Sequence, residues 1–199
     1  KTIVIENELL LLERGLELVT KFQYGIDYNF NLHERIKNLA YEFNSAYPYG
    51  SVLELATFLF VDKDFKGAKT DYYNPLNSNI IYTIDNSYGL PLTLTILYIL
   101  VAKELEFRVE GCRFPGHYLA KAFIYDRFVL VDCFNRGRLI FEKELRYIAH
   151  DSYEPFMAII SDKTTTKMML SRILANLSKA YENSADEINK VFFEELVHL

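Results

Sequence analysis

The chain has 199 residues, half of them hydrophobic, and a formal net charge of −5. This composition is typical of a globular domain with a full core and excludes a disordered chain. The acidic balance argues against nucleic-acid binding, and no apolar stretch has the length that predicts a membrane span. Two cysteines cannot form a disulfide framework, and the charged N-terminal segment is unlike a signal peptide, so we expect a cytoplasmic protein.

The N-terminal part of the chain predicts three helices. Apolar residues at helical spacing indicate the first over residues 3–22. Asn31 followed by Glu34 is typical of a helix N-terminus, because an N-cap side chain and a glutamate three residues later satisfy each other's backbone N–H groups. Ser51 and Glu54 repeat this pattern before the third helix.

A loop rich in turn formers and aromatic residues follows at residues 71–79, with the sequence DYYNPLNSN. Loops of this composition often border binding sites. The alternative, which composition alone favours, is that the tyrosines simply pack on the core. Asn77 or Ser78 is expected to cap a helix that continues through Ile84.

A run of apolar residues over 92–105 comes directly after the turn Gly89-Leu90-Pro91. Proline suits the first position of a helix, because its missing N–H would have no helical partner there. The run has no polar face, and it is too short to cross a bilayer. It therefore predicts a helix that is buried on most sides.

Three segments of alternating polar and apolar residues follow the apolar run and predict strands, at 107–113, 117–124 and 128–134. A turn at residues 135–137 and a short helix at 141–149 come next.

The C-terminal part predicts a helical hairpin. Residues 153–160 are expected to be irregular or a short strand, and residues 167–181 have the periodicity of a helix. Ser184, with Glu187 three residues later, predicts the cap of a last helix. The whole pattern indicates an α+β fold, with a main domain over residues 1–150 and a hairpin packed on it over 151–199.

His117 and Asp132 are the residues best placed for chemistry. They lie 15 positions apart on neighbouring predicted strands, so they can share a face. A six-residue loop would place His117 opposite Asp132, and a two-residue loop at residues 126–127 would place Lys121 there. A carboxylate beside a histidine fixes the tautomer and supports the imidazolium that nucleophilic catalysis needs. The alternative is a purely structural hydrogen bond.

No other pattern in the sequence indicates chemistry. The four histidines are scattered, and no glycine-rich phosphate loop is present, so we expect neither a metal site nor a cofactor.

Four ordered motifs resemble the SirB-type transglutaminase-like family: YYNPLNS at 72–78, GLPLTL at 89–94, FPGHY at 114–118 and DCFNRG at 132–137. The segment LSRILANL at 170–177 is similar to the part of that family that leads into tetratricopeptide-type helices. Members of the family are bacterial cytoplasmic proteins, with relatives fused to eukaryotic F-box proteins.

The resemblance implies a papain/transglutaminase-like core, in which a buried helix starts with a nucleophilic cysteine and strands carry a histidine and an aspartate. His117 and Asp132 match the last two positions, and the resemblance selects the register that places them opposite each other. The cysteine is expected near Pro91, where Leu90, Pro91 and Leu92 offer no nucleophile. Replacement by a nearby threonine, Cys112 or Cys133 is a weaker hypothesis.

The sequence therefore predicts a transglutaminase-like protein without the nucleophilic cysteine, acting as a protein-binding or regulatory module. The alternatives are a hydrolase or transferase that uses His117 and Asp132 with another nucleophile or water, and a structural domain in which both residues are relics. The expected partner is a protein, with neither nucleic acid nor membrane. Residues expected beside the pair in the cleft are Tyr73, Asn77, Ser78, Gly89 and Arg136.

Overall fold

The computed structural model describes residues 2–114, 117–149 and 153–198. Pro115 and Gly116 of the FPGHY motif lie outside these ranges, as does the predicted boundary at residue 150. The division of the chain at that point stays a prediction.

Three helices open the chain, as predicted: α1 at Thr2–Tyr24, α2 at Leu32–Ala46 and α3 at Val52–Thr57. Asn31 caps α2 by accepting a hydrogen bond from the backbone of Glu34. A π-helical turn, Phe58–Asp62, continues α3. The apolar faces of these helices enclose one side of the core.

Two short parallel strands, β1 at Lys66–Gly67 and β2 at Tyr88–Gly89, flank the loop of the first motif. A 3₁₀ turn at Pro75–Ser78 and helix α4 at Ile80–Asn86 lie between them. The predicted cap of α4 was wrong by one residue, because Asn79 accepts the hydrogen bonds from the N–H groups of Ile81 and Tyr82.

Helix α5, Pro91–Glu104, is the centre of the molecule, as its apolar sequence predicted. Every residue from Pro91 to Ala102 is buried. The helix packs on α2, α3 and the main sheet, so no side of it faces solvent over that stretch. This burial explains why the sequence of α5 has no polar face.

The main sheet is antiparallel and has the order β3-β4-β5-β6, with β3 at Val109–Cys112, β4 at Leu119–Ile124, β5 at Arg127–Asp132 and β6 at Arg138–Ile140. The first three strands confirm the prediction; β6 was not predicted. One face, with Ala120 and Val131, packs in the main core around α5. The opposite face, with Leu119 and Leu130, belongs to a second, smaller core.

The predicted register of β4 and β5 was wrong. Ala120 pairs with Val131, and the connecting turn contains only Tyr125 and Asp126. Continuing this register places Asp132 across from Leu119, so neither of the two expected pairings forms. His117 lies two residues before Leu119 and therefore on the same side of the sheet as Asp132, in a diagonal position.

Four helices complete the fold: α6 at Glu142–Ala149, α7 at Tyr153–Ser161, α8 at Thr166–Asn183 and α9 at Glu187–Val197. The prediction of an irregular segment or strand at 153–160 was wrong, because periodicity alone cannot separate a short apolar strand from a short buried helix. Ile160 of α7 is buried in the second core.

The C-terminal hairpin packs against the N-terminal helix. The hydroxyl of Thr166 donates a hydrogen bond to the backbone oxygen of Glu8 at 2.8 Å. The cap of α9 is Asp186 and not the predicted Ser184. Across the described residues, no helix has both the length and the apolar character of a membrane span.

Candidate functional site

His117 and Asp132 are in direct contact, as the sequence predicted. The distance between His117 Nε2 and Asp132 Oδ1 is 2.8 Å. The side chain of His117 is 24% exposed, and that of Asp132 is 10% exposed. The pair therefore lies at the edge of the core, where one partner reaches solvent and the other is held inside.

Asp132 is fixed by its position at the end of β5, where it caps the 3₁₀ turn Cys133–Asn135. Its Oδ1 accepts a hydrogen bond from the Asn135 backbone N–H at 3.1 Å, and its Oδ2 accepts one from Asn135 Nδ2 at 2.8 Å. The carboxylate orientation is thus set by the strand end and the turn, independently of the histidine.

These contacts keep Asp132 ionised. Burial raises the pKa of Asp132, but the hydrogen bonds from His117 and Asn135 outweigh burial, so its pKa lies below the usual value. An ionised carboxylate can only accept, so His117 Nε2 must carry the proton of this bond. In the neutral imidazole, Nδ1 is then the nitrogen with a free lone pair, which is the group that a general base needs.

Two aromatic side chains pack beside the imidazole of His117. Phe134 makes an edge-to-face contact with His117 at 6.0 Å between ring centroids, and Tyr72 packs on Phe134 in the same geometry at 6.0 Å. Gly67 in β1 makes room for Phe134, because a Cβ at that position would lie 2.4 Å from the ring.

His117 lines a cleft of about 700 Å³ between the start of α5, the end of the main sheet and one face of α8, and Asp132 is not part of that lining. Besides His117, the cleft is lined by Tyr72, Pro91, Leu92, Arg113, Phe114, Tyr118, Thr164, Thr165, Lys167, Met168, Ser171, Arg172, Ala175 and Asn176. The α8 residues were not predicted. Their spacing of three and four residues along LSRILANL is the sequence pattern from which a shared helix face could have been predicted.

The start of α5 presents Pro91 and Leu92 to the cleft, and neither has a nucleophilic side chain. Both thiols are elsewhere. Cys133 is fully buried in the main core, and burial raises its pKa strongly. Cys112 is buried in the second core, where burial raises its pKa to about 11.

The five residues expected beside the pair do not line this cleft. Tyr73 is exposed, and its neighbour Tyr72 lines the cleft instead. Gly89 belongs to β2. Arg136 is exposed and forms an ion pair with Asp64 at 2.9 Å.

Asn77 and Ser78 are buried. Asn77 has a structural task, because its backbone oxygen accepts hydrogen bonds from the Leu90 N–H and the Thr93 hydroxyl. Its side-chain amide donates to the backbone oxygens of Asp71 and Tyr72. The first motif therefore positions the start of α5, and Tyr72 is its residue that lines the cleft.

The site thus consists of a carboxylate–histidine pair at the end of an antiparallel sheet, facing the first turn of a buried helix. Residues 27–178 match the Transglutaminase-like superfamily. The match covers most of the chain, and the protein belongs to this superfamily.

Individual relatives come from bacteria and animals. A "UPF0162 protein" of Xylella fastidiosa (strain Temecula1) is 27% identical, over 90% of this chain and 68% of the relative. "F-box only protein 21" of Mus musculus is 29% identical over 63% of this chain, and the human protein of that name is 28% identical. The chain spans only 21% of each of these two proteins. No solved structure matched the chain.

Proposed function

We propose that this protein is a SirB-type member of the superfamily that binds a partner protein through the cleft and has no cysteine-dependent acyl-transfer activity. The observation that carries the proposal is the start of α5, where Pro91 and Leu92 face the cleft that contains His117. Cysteine-dependent acyl transfer needs a thiol between the helix N-terminus and the imidazole, because these two groups act by lowering the pKa of that thiol. Here both thiols are buried in hydrophobic cores.

Two further observations support a binding role. The unit related to this chain occupies 21% of F-box only protein 21, so in that protein it is one part of a much larger chain. Helices α8 and α9 pack against each other, and we propose that this pair is of the tetratricopeptide type. We place the protein in a bacterial cytoplasm, in line with two unpaired cysteines and the Xylella relatives.

The first experiment combines amine incorporation with thiol labelling. We expect no incorporation of dansylcadaverine into casein, and slow labelling of Cys112 and Cys133 by iodoacetamide, because buried protonated thiols react slowly. The same protein unfolded in urea is the control and should label rapidly at both positions. Fast labelling of either cysteine in the folded protein, abolished by His117→Ala, would refute the proposal.

A second candidate function is hydrolysis by an activated water. The observation in its favour is the ionised Asp132 at 2.8 Å from His117, which leaves Nδ1 unprotonated in the neutral imidazole of a residue that lines the cleft. Hydrolysis of p-nitrophenyl acetate distinguishes the two functions. The binding proposal expects equal rates for wild type, His117→Ala and the exposed control His33→Ala. A rate that falls only in His117→Ala would favour the hydrolase.

A further inference from the structure

The charged residues of the cleft are all of one sign. Arg113, Lys167 and Arg172 line it together with His117, and its described lining contains no aspartate or glutamate. This is unusual in a chain whose net charge is −5. A concave surface lined by positive charge attracts anionic ligands, because the charges act together in a region of reduced solvent.

Two of these cations have no carboxylate partner. Arg113 is paired, since its guanidinium lies 2.6 Å from Asp162. Lys167 and Arg172 make no ion pair with any described residue of the chain, and both are exposed on the first half of α8. They are therefore available to a ligand.

The length of the cleft indicates the size of its ligand. The lining on α8 extends from Lys167 to Asn176, which corresponds to about 14 Å along the helix. An extended chain of about five residues spans that distance, whereas a single small anion does not. Apolar side chains, including Phe114 and Met168, also line the cleft. The lining thus offers contacts to both acidic and apolar side chains.

We propose that the cleft binds an extended acidic segment of a partner protein, about five residues long, whose carboxylates pair with Lys167 and Arg172. The inference rests on the proposed binding function, because it uses the same cleft. It adds the chemistry of the partner and assigns Lys167 and Arg172 to its recognition.

The test uses the full chain and fluorescein-labelled Glu-Leu-Glu-Leu-Glu, with the matched peptide Gln-Leu-Gln-Leu-Gln as control. Fluorescence anisotropy gives the two dissociation constants. We expect the acidic peptide to bind at least about tenfold more tightly, and added salt to reduce that difference, since it rests on charge.

Arg172→Gln and Lys167→Gln are each expected to weaken binding of the acidic peptide about threefold to fivefold, as for exposed ion pairs. Lys37→Gln removes an equal charge from an exposed position on α2 and should leave affinity within twofold. All three positive charges are exposed, so circular dichroism should show unchanged folding.

Three results would overturn the inference: equal affinity for the two peptides, no effect of Arg172→Gln, or Arg172-dependent binding of inorganic phosphate by a chain that does not bind the peptide. The last result would make the cleft a site for small anions. Failure of the proposed function is a separate outcome. Amine incorporation by a chain that still selects the acidic peptide would refute the function and leave the inference standing.

Discussion

Replacing Asp132 by asparagine tests the structural basis of the site. The carboxylate accepts three hydrogen bonds, from His117 Nε2, the Asn135 N–H and Asn135 Nδ2. The asparagine side chain would keep one acceptor oxygen and place an NH₂ group where the second oxygen was. That NH₂ would face the amide of Asn135, so one donor there would lose its acceptor unless Asn135 turns its side chain over.

The size of the effect follows from these bonds. A hydrogen bond to a charged group contributes about 1.5–3 kcal/mol and one between neutral groups about 0.5–1.5 kcal/mol. The substitution makes the bond from His117 neutral and weakens or removes one from Asn135. Because His117 is partly exposed, water compensates some of the loss. We expect Asp132→Asn to lower the free energy of unfolding by about 1–2 kcal/mol at pH 7.

The stability lost in Asp132→Asn should depend on pH. The pKa of Asp132 is lower in the folded protein than in the unfolded chain, so the unfolded state binds the proton more readily. The stabilisation is therefore complete above the unfolded value near pH 4 and is lost as the pH falls through the folded pKa. The difference between wild type and Asp132→Asn should shrink below about pH 4.

Urea unfolding followed by circular dichroism measures this difference at pH 7, 5 and 3.5. Asp27→Asn is the control, because Asp27 is exposed and has no described hydrogen bond or ion pair. An equal loss of stability at all three pH values would refute the reasoning, as would no loss at pH 7.

Two further predictions concern neighbours of the pair. Gly67→Ala places a Cβ 2.4 Å from the Phe134 ring and should cost about 1–3 kcal/mol in urea unfolding, with shifted His117 ring signals by NMR; unchanged stability and signals would show that Phe134 is free to move. Pro91→Cys places a thiol at the start of α5, and we expect iodoacetamide to label it about tenfold faster than the native cysteines. His117→Ala in that background should slow the labelling; an unchanged rate would mean that the imidazole does not reach position 91.

The sequence alone determined the elements that depend on local patterns. The apolar run before Lys103 predicted a buried helix because no polar face interrupts it, and α5 is buried as expected. Capping residues such as Asn31 located helix starts, since the cap is satisfied within one turn. Strand parity allowed His117 and Asp132 to share a face, and they do.

The register and the cleft were decided only by the tertiary structure. The face on which a strand residue lies is unchanged when the strand slips by two residues against its neighbour. Strand parity therefore could not separate the expected register of β4 and β5 from the observed one, which turns at Tyr125 and Asp126. The cleft needed still more distant contacts, because Lys167 and Arg172 line the same cleft as His117 only after α8 has packed against the body of the protein. Packing of distant segments depends on the shapes and burial of whole surfaces, which no local pattern in the sequence contains.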